Sequence, residues 1–478
     1  MTGRGAKVIA LVAILLTACT RSQPNAAHSP TPSLAPSKIA WAGCGDGFQC
    51  GSLQVPLDYS KPDDRKISLA LVRKPATNPS SRMGSLLINP GGPGESGIDY
   101  LRSDVRVYSN LNRTFDLVSW DPRGVSASTP VHCLDNAQLD AYVALDSVLD
   151  DPQEKQAAID ANKNFAAACE QHSGDLLPYL DSASTARDMD QIREAVGDEK
   201  LTYLGYSYGT FIGQWYAHLF PTHIRALSLD GVVDPTVPAN ESLLGQVRGF
   251  EQNLRAYLAG RPADRLSKLS ADMARLDTQP LRVQHRELTR SLAMTGVLLT
   301  LYSQQFWSYL DAAVAALDRG DGTLLLALAD EYVHRQADGT YDNFISIDWA
   351  TYCIDFAVPT DVAAYDRLGP AFASASPFFG AWSQYSNLQC AYWPVKPKHS
   401  NEPIPVNGAP PILLVGGTND PATPYSEAQS VNRQISGSVL LTRQGNGHTS
   451  YDVSPCAHAA EDSYLLNLTL PAPGAVCT

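Results

Sequence analysis

Short apolar and β-branched runs alternate with longer stretches of helical periodicity along most of this chain. Eight of the runs have the length and composition of buried strands. They are LQVPLDY (53–59), ISLALVRK (67–74), SLLIN (85–89), FDLVSW (115–120), LTYLGY (201–206), IRALSLD (224–230), PILLVGG (411–417) and SVLLTR (438–443). Strands that alternate with helices are typical of a mostly parallel sheet covered on both faces. The pattern therefore predicts an α/β fold.

The strand pattern stops between about residues 235 and 405, where helical periodicity dominates. We predict a helical lid at 236–404, inserted between the sixth and seventh of the eight predicted strands, and a sheet core formed by 39–235 and 405–478. The most apolar part of the lid, Val297–Tyr302, is too short to span a membrane. Burial in a core is the better interpretation of that run.

The N-terminal residues indicate export. Arg4 and Lys7 precede an apolar run, 8–16, that has the shape of a signal peptide. The sequence LTAC at 16–19 resembles a bacterial lipobox, so we predict a lipoprotein signal peptide at 1–18 and lipidation of Cys19. An ordinary signal peptide cleaved nearby is the alternative. The lipid would anchor the protein to the outer face of the cell membrane, retained or later shed, through a flexible Pro/Ser-rich tether at 19–38.

Composition narrows the classes of function. The 478 residues are 44% hydrophobic with a net charge of -13 and no Lys/Arg-rich run, which argues against nucleic-acid binding. Of nine cysteines, eight remain if Cys19 carries lipid, an even number that suits an oxidising compartment. Eight cysteines permit 105 pairings; proximity suggests Cys44–Cys50, Cys133–Cys169, Cys353–Cys390 and Cys456–Cys477. No Cys/His cluster has zinc spacing, so we expect neither a metal site nor a cofactor.

The strongest chemical signal is Gly205-Tyr206-Ser207-Tyr208-Gly209, a G-x-S-x-G directly after a predicted strand and before a predicted helix. In that position the motif forms a tight nucleophile turn whose serine hydroxyl is exposed at the helix N-terminus. A chance match is the alternative, and the position of the motif argues against it. The motif predicts the α/β-hydrolase fold with an eight-stranded, mostly parallel sheet and Ser207 as nucleophile.

A serine nucleophile needs a base, and the base needs an orienting acid. Asp420 follows the seventh predicted strand and His448 follows the eighth, which is where this fold places acid and base. Asp230, at the end of the sixth strand, is the alternative acid. We favour Asp420 because its loop directly precedes the histidine strand.

Acyl transfer also needs hydrogen-bond donors for the developing oxyanion. One predicted donor is the backbone N–H of Tyr208. The other is the N–H of Gly92 in the loop NPGGPGESG (89–97), where glycines let the backbone approach a substrate. A plain Gly/Pro turn is the alternative for this loop.

Six segments, taken together and in order, resemble the actinobacterial secreted tripeptidyl aminopeptidases, peptidase S33-like relatives of the proline iminopeptidases. They are NPGGPGESG, SWDPRGVSAS, LGYSYGTFIGQWYAHLFP, LDGVVDP, NDPATP and GNGH. The resemblance runs from about Cys50 to the C-terminus. It implies a serine exopeptidase that uses Ser207, Asp420 and His448 to release short peptides, often tripeptides, from peptide or protein substrates with a free N-terminus.

The substrate amine of such an enzyme requires an acidic partner. Glu95 and Asp355 are candidates by motif position, although either could be an ordinary surface acid. Ser126 departs from the family pattern, which usually has a glycine there. Two other functions stay open: a cell-surface carboxylesterase or lipase with the same catalytic residues, and a catalytically silent binding domain, which the intact triad argues against.

Overall fold

A ten-stranded sheet runs through residues 38–478, the part of the chain that the computed structural model describes. Its strands are β1 (Ala42–Gly43), β2 (Gln49–Pro56), β3 (Lys66–Lys74), β4 (Gly84–Asn89), β5 (Phe115–Trp120), β6 (Leu201–Tyr206), β7 (Ile224–Asp230), β10 (Leu413–Asn419), β11 (Val439–Asn446) and β12 (Val476–Cys477). Their order is β1-β2-β3-β5-β4-β6-β7-β10-β11-β12. The pairs β1-β2, β2-β3 and β3-β5 are antiparallel and the other neighbours are parallel.

All eight predicted strands are present, and the prediction of an eight-stranded sheet is corrected to ten. The two additional strands, β1 and β12, lie at the edges and have two residues each. A strand of two residues is too short to show a period of two, so the sequence pattern could not reveal it.

Seven helices lie in the chain segments that surround the sheet: α1 (Gly97–Asp104), α2 (Asn136–Val143), α3 (Pro152–Ser173), α4 (Ser182–Val196), α5 (Tyr208–Leu219), α14 (Tyr425–Gln434) and α15 (Pro455–Asn467). Apolar residues on both faces of the sheet are buried, including Tyr203 on one face and Leu204 on the other. Burial on both faces explains why the parallel strands have almost continuously apolar sequences.

A helical insertion connects β7 to β10. It contains α6 (Ala239–Leu258), α7 (Arg265–Thr278), α8 (Arg290–Thr300), α9 (Trp307–Leu317), α10 (Thr323–Tyr332), α11 (Phe344–Asp355), α12 (Val362–Ala375) and α13 (Gly380–Ser383), with a small hairpin of β8 (Leu281–Val283) and β9 (Arg286–Leu288). These elements fall inside the interval predicted for the lid. The insertion has a hydrophobic core of its own, in which Leu254, Val297 and Phe372 are fully buried. This core accounts for the apolar run at 297–302.

Four disulfides are formed, and they join the pairs that sequence proximity suggests: Cys44–Cys50, Cys133–Cys169, Cys353–Cys390 and Cys456–Cys477. The first joins the residue after β1 to β2, and the last joins β12 to α15. The predicted signal peptide and lipidated Cys19 lie outside the described residues. Within residues 38–478, none of the helices combines the length and apolar character that a bilayer span requires, and no cluster of three metal-ligating side chains is present.

Candidate active site

Ser207 occupies the sharp turn between β6 and α5. Its φ of 52° and ψ of -123° lie in a sparsely populated region, which costs a residue with a side chain about 1–3 kcal/mol. The backbone holds the turn in place, because Ser207 N–H donates to the Asp230 carbonyl (2.9 Å) and the Ser207 carbonyl accepts from Thr210 Oγ1 (2.6 Å). A Cβ at Gly205 would lie 2.7 Å from the Gly209 carbonyl oxygen, so both glycines of the motif are needed for close packing. The serine side chain is left partly exposed at the start of α5.

Asp420 and His448 form the predicted acid–base pair. The imidazole Nδ1 lies 2.8 and 2.9 Å from the two carboxylate oxygens. Asp420 also accepts the backbone N–H groups of Ala422, Thr423 and Thr449 at 2.9–3.1 Å. Burial alone would raise the pKa of Asp420, but His448 and these backbone donors outweigh it and hold the pKa below its ordinary value. Asp420 is therefore an anion at neutral pH and orients the ring with Nδ1–H toward itself.

The opposite nitrogen of this ring is free for chemistry. His448 Nε2 is buried and has no hydrogen-bond partner among residues 38–478. Cε1 lies beside Gly231, where an added Cβ would be 3.0 Å away, and the preceding Asp230 carbonyl holds the Ser207 turn. The structure thus brings the imidazole to the strand ends that carry Ser207. Ser207 Oγ and His448 Nε2 are not hydrogen-bonded to each other in the structure of residues 38–478. Hydrogen bonds between nucleophile and base commonly tighten only when substrate binds.

Two backbone donors are available for an oxyanion. Gly91 has a φ of +99° and packs against the nucleophile turn, because an added Cβ would lie 2.8 Å from the Tyr208 nitrogen. Its own N–H is occupied by Asn89 Oδ1 (3.0 Å). The N–H groups of Gly92 and Tyr208, by contrast, have no acceptor within residues 38–478. These are the two donors that the sequence predicts.

The helical insertion contacts the histidine directly through Tyr302, just after α8. The Tyr302 carbonyl accepts the backbone N–H of His448 (2.7 Å), and the two rings are 5.8 Å apart. A Cβ at Gly447 would lie 2.9 Å from this carbonyl oxygen, so a glycine is required where the segments meet. Sequence reasoning missed Tyr302, since nothing in its local pattern marks a contact with a loop so distant along the chain.

Glu95 extends from the loop 89–97, hereafter the oxyanion loop, and pairs with a histidine of the insertion. Its Oε1 lies 3.4 Å from His334 Nε2, and His334 Nδ1 lies 2.8 Å from Asp342. Burial would lower the pKa of His334, but Asp342 and Glu95 raise the pKa to about 10, so this imidazole is a cation at neutral pH. The Glu95 side chain is 36% exposed beside the oxyanion loop.

Asp348, on α11, is a second acid beside this loop. A Cβ at Gly94 would lie 3.1 Å from the Asp348 backbone nitrogen, which places the start of α11 against the oxyanion loop. The Asp348 side chain is partly exposed and has neither a hydrogen bond nor an ion pair within residues 38–478. Burial and then the charge of Glu95 raise its pKa to about 8. Sequence reasoning missed this residue, because an isolated Asp in a helix has no distinguishing pattern.

Asp355 lies elsewhere, and its prediction as an amine-binding acid is corrected. The residue is 2% exposed. Its carboxylate accepts hydrogen bonds from Ser182 N and Oγ (3.1 and 2.6 Å) and from Tyr208 Oη (2.6 Å). All of these partners belong to the protein itself. Asp355 supports the helix that follows Ser207 and presents no free oxygen to a ligand.

The sequence of this chain is similar to those of known proteins. Residues 376–477 match the family model described as TAP-like protein. The serine protease Hip1 of Mycobacterium tuberculosis is 36% identical over 511 residues, which cover 98% of this chain and 96% of that protein. This chain belongs to the TAP-like family of α/β hydrolases. Within the family, carboxylesterase B of M. tuberculosis is 35% identical over 488 residues (95% of this chain, 93% of that protein). The tripeptidyl aminopeptidase of Streptomyces coelicolor is 32% identical over 452 residues (90% and 84%).

These names bear on the chemistry of the family. Hip1 and the Streptomyces enzyme are named as peptidases, which supports serine peptidase activity for the TAP-like chain described here. Carboxylesterase B supplies an esterase alternative at nearly the same identity. The choice between an amide and an ester substrate therefore depends on the features of the site itself.

Proposed function

We propose that this TAP-like protein is a serine exopeptidase that releases short peptides, tripeptides in the first instance, from free N-termini. The observation that carries the proposal is the acidic pair formed by Glu95 and Asp348 beside the oxyanion loop. Two carboxylates at this position have no role in ester hydrolysis, whereas an aminopeptidase needs negative charge to bind the protonated amine of its substrate. The family's peptidase names add support.

The proposed reaction proceeds through an acyl-enzyme. His448 Nε2 accepts the Ser207 proton as Oγ attacks the scissile carbonyl, and Asp420 stabilises the imidazolium that forms. The N–H groups of Gly92 and Tyr208 bind the oxyanion. The imidazolium then protonates the leaving amine, which departs with the remainder of the polypeptide. Water attacks the acyl-enzyme by the same proton transfers and releases the short peptide.

The amine site would set the length of that peptide. Asp348 has a raised pKa because it is partly buried and lies near Glu95, and the positive charge of His334 offsets only part of that rise. A substrate ammonium placed between the two carboxyls would add positive charge and favour the ionised form of Asp348. Because the amine would be held at one place and the carbonyl at Ser207, only a fixed number of residues fits between them. The insertion would close the remaining side of the cleft as a lid.

The deciding experiment compares purified protein with Ser207→Ala on tripeptide and single-amino-acid anilides, each with a free or an acetylated N-terminus, and on a short-chain nitrophenyl ester. We expect cleavage of free-amine tripeptides that requires Ser207 and is lost on acetylation. Faster cleavage of single-residue anilides would contradict tripeptide release while preserving the aminopeptidase. Ester turnover without any amide cleavage would favour the carboxylesterase alternative, and absence of both would favour a silent binding domain.

We also propose that the enzyme acts at the outer face of the cell membrane, attached through lipidated Cys19. The four disulfides support an exported protein, because such bonds persist in oxidising compartments. Detergent partitioning of the full chain and of Cys19→Ala tests the anchor. If both proteins stay in the aqueous phase, Cys19 carries no lipid.

A further inference from the structure

Asp230 binds the backbone of the loop after β11 that carries His448, hereafter the histidine loop, and makes no hydrogen bond to the histidine side chain within residues 38–478. It ends β7 and is completely buried. Its Oδ2 accepts the backbone N–H groups of Ser450 (2.6 Å) and Tyr451 (2.9 Å), which follow His448 by two and three residues. Its Oδ1 has no hydrogen-bond partner within residues 38–478. The acid that rivalled Asp420 in the sequence therefore holds the backbone of the loop that carries the base.

A second buried carboxyl lies against the same face of β7. Side chains two residues apart on a strand share a face, so Ser228 and Asp230 point in the same direction. Glu461 of α15 is also completely buried, and its Oε2 accepts from Ser228 Oγ (2.7 Å). Its Oε1, like Asp230 Oδ1, has no partner within residues 38–478. Both carboxyls thus lie against the same face of β7, and each has one hydrogen-bonded oxygen and one oxygen without a partner.

The charges around the pair do not permit both carboxyls to ionise. The titratable and charged groups that face them come from β6, the loops after β10 and β11, β11 itself and α15: Tyr206, Asp420, Arg443, Asp452 and Asp462. Of these, only Arg443 is positive, and its guanidinium already donates to the Gly447 carbonyl (2.6 Å) and Ser450 Oγ (3.2 Å). One cation can offset one carboxylate, so the other carboxyl is stable only with its proton.

The hydrogen bonds indicate which of the two keeps the proton. Burial raises the pKa of Asp230 to about 6, and the N–H groups of Ser450 and Tyr451 oppose that rise. Burial and the charge of Asp230 raise the pKa of Glu461 well above its ordinary value. Two backbone donors favour an anion at Asp230, whereas Glu461 has a single hydroxyl partner. The hydrogen bonds therefore favour the anion at Asp230 and the proton on Glu461.

We propose that Asp230 and Glu461 are positioning residues that share one proton through their two unpartnered oxygens, Oδ1 and Oε1, and so fix the loop that carries His448. The shared proton satisfies both oxygens, directly or through a bridging water. It leaves Asp230 as the anion that binds the loop backbone. The inference rests on the proposed role of His448 as the base, and the experiments below separate the two.

The first test removes the anion. Asp230→Ala leaves two buried N–H groups without an acceptor, so we expect the loop to shift and kcat for the nitrophenyl ester to fall about 10–100-fold, with KM changed by less than about twofold. Asp230→Asn keeps an oxygen acceptor and should restore most of the loss. Ser207→Ala is assayed in parallel. If Ser207→Ala abolishes turnover and Asp230→Ala does not lower kcat, the positioning role is wrong and the proposed mechanism stands. If Ser207→Ala stays active, the proposed mechanism fails instead.

The second test removes the proton and applies even if Asp230→Ala does not fold. Because the pKa of Glu461 is raised in the folded state, folding loses stability as pH rises from the unfolded value of 4.5 through the folded one. Glu461→Gln mimics the neutral acid permanently. The unfolding temperature of Glu461→Gln should therefore increase relative to that of the wild type as pH is raised from about 5 to about 8. Its kcat should match the wild type at neutral pH and persist at alkaline pH, where the wild type declines.

Glu427 of α14 provides the matched control. It is another buried glutamate with a raised pKa, about 8; it accepts from the Asp234 backbone N–H (2.9 Å) and makes no hydrogen bond to the histidine loop within residues 38–478. The unfolding temperature of Glu427→Gln should also increase relative to that of the wild type as pH rises. The pH profile of its kcat should match that of the wild type. If Glu461→Gln and the wild type have superimposable kcat profiles, or if Glu427→Gln moves the profile as much as Glu461→Gln does, the shared-proton proposal is overturned.

Discussion

Replacement of Asp348 by Asn tests the proposed amine site most sharply, because the predicted effect depends on pH in a known way. With a pKa of about 8, Asp348 is ionised in only about one molecule in eleven at pH 7. An ammonium that binds the carboxylate must therefore first drive off the proton, which costs about 1.4 kcal/mol at this pH. Above about pH 9 the group is already ionised and the cost disappears.

The size of the loss follows from these states. A hydrogen bond to a charged group contributes about 1.5–3 kcal/mol, which sets KM of Asp348→Asn about 12–150-fold above the wild type when Asp348 is fully ionised. At pH 7 the cost of ionisation reduces that ratio about tenfold. The ratio of the two KM values for a free-amine tripeptide should therefore rise about tenfold between pH 7 and pH 9. Ionisation of the substrate amine cancels in this ratio.

Initial-rate kinetics on the free-amine and the acetylated tripeptide anilide give both KM values across this pH range. The acetylated substrate is the internal control, since it has no ammonium and its KM should be nearly the same in both proteins. A KM ratio that stays constant from pH 7 to pH 9 would refute the reasoning, because Asp348 would then bind the amine without titrating or not bind it at all. An equal rise in KM for the acetylated substrate would show a general distortion of the cleft.

Three further substitutions have defined outcomes. Asp420→Asn should lower kcat about 10⁴-fold in the ester assay with little change in KM, because the amide leaves His448 Nδ1–H without an anion to orient it. Gly91→Ala should abolish activity and soluble expression, since its Cβ would lie 2.6 Å from the Tyr206 carbonyl oxygen. Gly197→Ala is the control, because Gly197 has a similar φ, +87°, and nothing lies within 4 Å of its Cβ. It should lower the free energy of unfolding by only about 1 kcal/mol in a denaturation experiment. Asp355→Asn should leave the KM ratio of free to acetylated substrate unchanged. Burial and the charge of Asp181 raise the pKa of Asp355 to about 7. The unfolding temperature of Asp355→Asn should therefore increase relative to that of the wild type as pH rises from about 4 to about 7. A parallel pH dependence in the two proteins would contradict this.

The sheet could be predicted because each central strand is buried on both faces and its sequence has to be apolar throughout. The helical insertion was visible for a related reason, since most of its helices pack into a core of their own, which imposes a helical period on their sequences. The edge strands were not visible, because two-residue strands are specified by the neighbours they pair with and by a disulfide. The number of strands in the sheet was underestimated for that reason alone.

The residues of the candidate active site were predictable where a backbone constraint leaves a trace in the sequence. Gly205 and Gly209 mark the turn at Ser207, and the glycines around His448 mark a loop that must pass close to the insertion. The substrate site leaves no such trace. Asp348 and Asp355 lie on the same helix, and only the packing of that helix decides that one faces the oxyanion loop and the other binds Ser182 and Tyr208. A single sequence contains no signal for that difference.

The hydrogen bond between the Tyr302 carbonyl and the His448 backbone N–H couples the position of the helical insertion to the position of the base. A movement that swings the insertion away to admit a long polypeptide would also withdraw an acceptor from the general base. The open form would admit the substrate but would not hold the base in position, so substrate entry and reaction could not occur at the same time. A hydrolase built in this way would act only on a substrate short enough to let the insertion close again over the site.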